Sequence, residues 1–214
     1  MAKIISIVFL GFGFFILFQV ASPIIGYQLL ELRFSKASDF LASPQNERDQ
    51  ILGVSVQNDL NNFPAFVSNI KRAAIPPFDS FELSIPKLGV LDALVFVDSN
   101  DLKSGLAHLP GSALPGERGN MFISGHSALP QFFNGNKNYG SIFANLTKLG
   151  KGDEIKIKVL GSEFSYRVSD IKIVSPNDLS VIYPPNDSGR FISLMTCVPP
   201  GLNTKRLVVV GKSI

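Results

Sequence analysis

The chain has 214 residues, of which 45% are hydrophobic, and its formal net charge is +3 at pH 7. This length fits one folded domain plus a membrane segment and excludes several large domains. The basic residues are scattered, so the composition excludes a nucleic-acid partner. One cysteine and two histidines allow neither an internal disulfide nor a zinc-like cluster, so we expect no metal and no cofactor.

The first patterned segment is apolar, since residues 4–25 contain no charged side chain. About 20 apolar residues suffice to cross a bilayer as a helix, which predicts an amino-terminal transmembrane anchor within residues 1–30. A cleaved signal peptide is the alternative, because residues 4–18 have the length of its apolar core. We expect a single-pass protein of the cell membrane with its domain on the extracytoplasmic face.

Residues 31–77 are rich in Asn, Gln, Asp and Ser, and their hydrophobic periodicity is intermittent. This composition predicts a stalk or linker between the anchor and the domain. Within it, residues 47–52 and 66–70 are candidates for short helices. The pair Pro76-Pro77 closes the segment.

Residues 78–214 change to short apolar runs separated by Gly, Pro, Asn and Asp turns. Predicted strands cover residues 81–90, 91–97, 121–125, 154–160, 163–174, 191–197 and 206–211. Short helices are expected at residues 102–109, 141–149 and 177–182. Many short strands with few helices indicate a mostly β domain, either a barrel or a sandwich.

Three chemically active side chains lie at predicted strand ends. Cys197, the single cysteine, ends a strand just before a Pro-Pro-Gly turn. Arg206 opens the next strand, so an antiparallel pairing of the two strands brings both residues to one sheet rim. His126 likewise follows an apolar strand. A thiol, an imidazole and a guanidinium at strand ends suggest a thiol-based acyl-transfer site, although a lone cysteine is more often a buried small hydrophobe.

The motifs around these residues resemble those of the sortase family, closest to its amino-terminally anchored, non-pilin classes D and E. The matching segments occur in the family's order over residues 81–214: Ile85-Pro86-Lys87-Leu88-Gly89-Val90, residues 108–120, Gly125-His126, Ser193-Leu194-Met195-Thr196-Cys197 and Arg206. Ser193 stands where sortases usually have Thr. Residues 127–141 form a longer segment than many relatives have.

The resemblance implies an eight-stranded sortase-type β-barrel with short helices and a cysteine transpeptidase activity. It implies Cys197 as nucleophile, His126 as acid and then base, and Arg206 as the cation that orients the carbonyl and stabilises the oxyanion. Thr196, His108 and Ser193 are the candidate substrate-binding residues. For His108 a packed loop position is the alternative.

The implied substrates are secreted proteins with a carboxyl-terminal sorting signal similar to Leu-Pro-x-Thr-Gly or Leu-Ala-x-Thr-Gly. The acyl group would pass through a thioester to an amine of the cell envelope, with a lipid-linked peptidoglycan precursor as the expected acceptor. Membrane lipid is the partner of the amino-terminal helix. Two alternatives stay open: a non-catalytic membrane-anchored binding module, and a hydrolytic Cys-His peptidase.

Overall fold

The computed structural model describes residues 53–58, 64–129, 138–186 and 188–214, together with 7, 9–15, 17–19, 21–22 and 25–26. The described residues between 7 and 26 are helical. Within the described parts of the chain, no helix combines the length and the apolar character needed to cross a bilayer. The transmembrane anchor therefore stays a prediction.

The carboxyl-terminal part forms a closed barrel of eight strands, which confirms the predicted mostly β fold. Its strands are β3 (Ser80–Ile85), β4 (Val90–Phe96), β5 (Leu106–His108), β6 (Gly119–Ser124), β7 (Glu154–Val159), β8 (Ser162–Val174), β9 (Arg190–Val198) and β10 (Lys205–Ser213). The barrel order is β10-β8-β7-β3-β4-β5-β6-β9, and β9 closes it by pairing with β10. Short 3-10 helices occupy Pro86–Leu88, Leu146–Lys148 and Leu179–Ile182.

Two further strands lie within the segment predicted as a stalk. β1 (Val54–Asn58) pairs with β2 (Pro64–Ser68) as an antiparallel hairpin. The predicted helix at 66–70 is therefore wrong for its first three residues, which alternate between buried and half-buried as a strand does. As part of this strand, Phe66 stacks its ring on Phe122 of the barrel, with centroids 5.9 Å apart. The other predicted helix, 47–52, lies outside the described residues.

The predicted helix at 102–109 is also wrong, because residues 106–108 form β5. This strand pairs in parallel with β4 and antiparallel with β6, and all three of its residues are buried. Both of its edges are needed to close the barrel, and this tertiary demand outweighs local propensity. The strand predicted at 81–90 is interrupted, because Pro86 begins a 3-10 helix and Gly89 ends it in the left-handed region at φ 69°.

Strands β6, β9 and β10 have apolar residues on both faces. On the inner face, Ile192, Leu194, Leu207 and Val209 are fully buried in the barrel. The outer face carries a second core, which the β1–β2 hairpin and the 3-10 helix at 179–182 cover. Its buried members are Val54, Phe66, Leu109, Phe122, Leu179, Phe191, Met195, Val208 and Val210.

Candidate active site

Cys197 and Arg206 are direct partners across the β9–β10 ladder. Cross-strand partners project to the same face, so both side chains lie on the outer face at the end of these strands. The turn that joins the strands begins at Pro199, and Gly201 adopts a left-handed φ of 81° within it. The predicted antiparallel hairpin is thus confirmed, and it brings the thiol and the guanidinium to one rim.

Arg206 is a buried cation, with 1% of its surface exposed. Its Nη1 atom donates hydrogen bonds to the backbone carbonyls of Asn203 at 3.2 Å and Lys205 at 3.1 Å. Burial lowers the pKa of the Arg206 guanidinium, whereas the charge of Cys197 raises it. An arginine still keeps its proton in a protein, so the site holds a fixed positive charge next to a partly exposed sulfur.

His126 follows β6, which runs parallel to β9 with Ser124 opposite Met195. The contact between the two strands continues past the end of β6, because the Gly125 amide donates to the Met195 carbonyl at 3.1 Å. Extending this register by two residues would place His126 opposite Cys197. Its side chain is half-buried, and its carbonyl accepts the Phe143 amide at 3.0 Å.

Thr196 and Ser193 are buried, with 2% and 1% of their surfaces exposed. The Thr196 hydroxyl donates to the Gly125 carbonyl at 2.7 Å, and the Ser193 hydroxyl donates to Oδ1 of Asn120 at 2.9 Å. Both hydroxyls join β9 to the β6 segment. Their positions therefore do not support the predicted substrate contacts, since neither side chain reaches the surface.

His108 is fully buried in β5. Its Nε2 atom lies 2.9 Å from the Ser112 hydroxyl and 3.0 Å from the Ala113 carbonyl, and its Nδ1 accepts the Asp98 amide at 3.3 Å. Burial lowers the pKa of this imidazole, which favours the neutral ring. His108 is thus packed, but in a strand and not in the loop that was the alternative, and its burial argues against a direct contact with substrate.

Ser127 is a site neighbour that the sequence reading missed. It is buried, its hydroxyl donates to the Cys197 carbonyl, and its own carbonyl accepts the Gly201 amide at 2.8 Å. Its place directly after His126 was the available signal. The sequence near Ser127 cannot indicate a hydrogen bond to a residue 70 positions away.

Comparison with known proteins points to one family. The Sortase domain family model matches residues 83–214. The chain is 30% identical to sortase D of Bacillus subtilis over 136 residues, which span 62% of each protein. It is 28% identical to sortase A of Listeria monocytogenes over 221 residues, which cover 98% of this chain and 90% of that one. A solved sortase D5 transpeptidase of Clostridium perfringens matches with a TM-score of 0.53 and 30% identity, over 64% of this chain and 79% of that one.

Proposed function

The chain belongs to the sortase family of cysteine transpeptidases, and we propose that Cys197, His126 and Arg206 are its catalytic residues. The observation that carries this proposal is the cross-strand pairing of Cys197 with a buried Arg206. A charge buried at this depth is costly unless another charge or dipole compensates it. The carbonyls of Asn203 and Lys205 provide part of that compensation, and a thiolate, and later an oxyanion, at the same rim adds to it.

In the proposed reaction the Cys197 thiolate attacks the carbonyl carbon of the scissile peptide bond. The new C–S bond converts the carbonyl into an oxyanion, which Arg206 stabilises with a charge already held in place by the turn carbonyls. The C–N bond then breaks, and His126 gives its proton to the departing amine. An acceptor amine attacks the thioester, loses its proton to His126 and releases Cys197 as a thiolate.

Sortases act on secreted proteins with sorting signals. For this chain we propose a Leu-Pro-x-Thr-Gly-like or Leu-Ala-x-Thr-Gly-like signal and an envelope amine, with a lipid-linked peptidoglycan precursor as acceptor. We further propose a single-pass anchor that leaves the barrel on the extracytoplasmic face. The uncharged run at 4–25 supports the anchor, as do the exposed helical side chains of Phe9, Phe12 and Phe14, because large exposed apolar surface calls for an apolar environment.

The decisive experiment incubates the full-length chain with a panel of both peptide types and follows its intact mass. We expect a thioester adduct on the wild type and none on Cys197→Ala, followed by an amide product when an amine is added. Peptide binding without any adduct would favour the non-catalytic module. Cleavage that yields only the free acid, even in excess amine, would favour the hydrolytic peptidase.

The anchor is tested separately. Alkaline carbonate should leave the full-length chain in the membrane pellet and should release a chain that lacks residues 1–43. External protease should digest the barrel in intact protoplasts if it lies on the extracytoplasmic face. Release of the full-length chain by carbonate would contradict the anchor, and protection of the barrel from protease would contradict the orientation.

A further inference from the structure

Ser127 connects the segment that carries His126 to the strand that carries Cys197. Its hydroxyl donates to the carbonyl of Cys197, and its carbonyl accepts the amide of Gly201 in the turn behind the cysteine. The side chain is buried, with 4% of its surface exposed. Ser127 thus bonds to Cys197 at the end of the cysteine strand and to Gly201 in the turn that follows it.

A second pair of bonds lies on the other side of His126. The Gly125 amide donates to the Met195 carbonyl at 3.1 Å, and its carbonyl accepts the Thr196 hydroxyl at 2.7 Å. The residues before and after His126 are therefore both bonded to the cysteine strand and its turn. Since β6 ends at Ser124, these bonds replace the regular ladder at the level of the site.

The turn at Gly201 is closely fitted to the Ser127 segment. Gly201 has a φ of 81°, and a Cβ atom on it would lie 3.0 Å from Cγ of Leu129. The next residue bonds to a different part of the chain, since the Ala128 amide donates to the Gly140 carbonyl at 2.9 Å. Ser127 is thus followed by a residue whose amide bonds outside the cysteine strand and its turn.

We propose that Ser127 is a positioning residue that sets the geometry between the His126 imidazole and the Cys197 sulfur. This inference rests on the proposed roles of those two residues. Proton transfer requires donor and acceptor at hydrogen-bond distance, and a positioned acid–base group contributes about 10²–10⁴ in rate. Because Ser127 is buried and acts through the backbone, its loss should reduce kcat and leave KM nearly unchanged.

The test compares Ser127→Ala with Ser127→Thr, which keeps a hydroxyl donor, and with Ser68→Ala. Ser68 is the matched control, because its side chain is also buried, with 2% of its surface exposed, and its hydroxyl also donates to a distant backbone carbonyl, that of Pro110 at 2.8 Å. For Ser127→Ala we expect kcat to fall about tenfold or more, within the acid–base contribution. Ser127→Thr should recover most of this loss, and Ser68→Ala should retain the wild-type kcat.

A second readout separates positioning from stability. The rate of Cys197 alkylation is measured against pH in wild type, His126→Ala and Ser127→Ala. The proposal requires the Ser127→Ala profile to move toward that of His126→Ala while its Tm stays near that of Ser68→Ala. A wild-type pH profile with full kcat, or a loss of kcat that only follows a fall in Tm, overturns it.

Failure of the proposed function and failure of the inference about Ser127 give different results in these experiments. If the wild type forms no thioester with any peptide, the proposed function fails, yet the alkylation profiles still report whether Ser127 positions His126 beside the sulfur. If Ser127→Ala does not fold, Gly201→Ala perturbs the other bond of Ser127, because alanine is strained at this φ. A wild-type kcat and pH profile in Gly201→Ala would then overturn the inference.

Discussion

The outer face of β6, β9 and β10 has two ends. One end is covered by another element of the chain, and the other is partly open to solvent. At one end the β1–β2 hairpin covers Phe122, Met195 and Val208, and these residues belong to a buried hydrophobic core. At the other end Cys197 stays partly exposed beside the buried Arg206. What differs is the covering element, since the register between β9 and β10 is continuous between the two ends.

This comparison assigns the hairpin to the barrel. The Ser68 hydroxyl donates to the Pro110 carbonyl at 2.8 Å, and Nε of Arg72 lies 2.7 Å from Asp98. Together with the stacking of Phe66 on Phe122, these contacts bind β2 and the following Arg72 to the barrel. The covered end therefore contributes to the stability of the domain. At the open end Cys197 stays partly exposed.

Removal of the hairpin should have the largest effect. A chain that begins at Ala74 loses Val54 and Phe66 and exposes the outer core, whereas one that begins at Pro44 keeps the whole second unit. We expect the shorter chain to melt at least about 10 °C lower, since about 1 kcal/mol shifts Tm by 2–4 °C in a domain of this size. Calorimetry of both chains checks this, and equal Tm values would contradict the assignment.

A single substitution at the covered end also tests whether the hairpin stabilises the barrel. Phe66→Ala should lower the free energy of unfolding by about 3–5 kcal/mol, the usual cost of emptying a buried aromatic site. Well below the Tm, kcat should not change. Leu91→Ala is the control, because 62% of Leu91 is exposed and its loss should cost within about 0.5 kcal/mol. Urea titration measures both, and equal costs would refute the hairpin's structural role.

The open end should respond in the opposite way. Arg206→Lys keeps a charge but loses the planar fork that the turn carbonyls hold. We expect kcat to fall by about 10²–10³, the range found when one oxyanion donor is lost. Single-turnover acylation rates with one peptide provide the measurement. A rate within threefold of wild type would exclude Arg206 from oxyanion stabilisation.

The smallest expected effect is a pH dependence of the free energy of unfolding that arises from His108. Burial lowers the pKa of its imidazole below the ordinary 6.5, in spite of nearby Asp98 and Glu117, which raise it; Arg72 lowers it further. As pH falls below 6.5, the unfolded chain takes up a proton that the folded chain does not. Stability should therefore be complete above that pH and decline below it until the folded pKa is passed.

Urea midpoints between pH 7.5 and 5 test this in a His126→Gln background, which removes the other histidine. The decline should disappear when His108→Gln is added. Persistence of the same slope in the double variant would assign it to the carboxylates instead.

Much of the barrel could be predicted because its strands are short apolar runs that end at turns rich in Gly, Pro, Asn and Asp. The pairing of Cys197 with Arg206 followed from a short connection between two such strands, which leaves few alternatives to a hairpin. β5 was not readable, because three buried residues in a row have no periodicity that separates strand from helix. Residues 66–68 were misread for a related reason, since Phe66 finds its partner far along the chain.

By itself, the sequence determined the strand-rich domain, the family resemblance and the strand ends on which Cys197, His126 and Arg206 stand. These properties depend on neighbours along the chain. The tertiary structure alone decided that the hairpin packs on the barrel, that His108, Thr196 and Ser193 are buried, and that Ser127 bonds to the cysteine strand. Such features depend on contacts between distant segments, and local composition carries no record of which segments will meet.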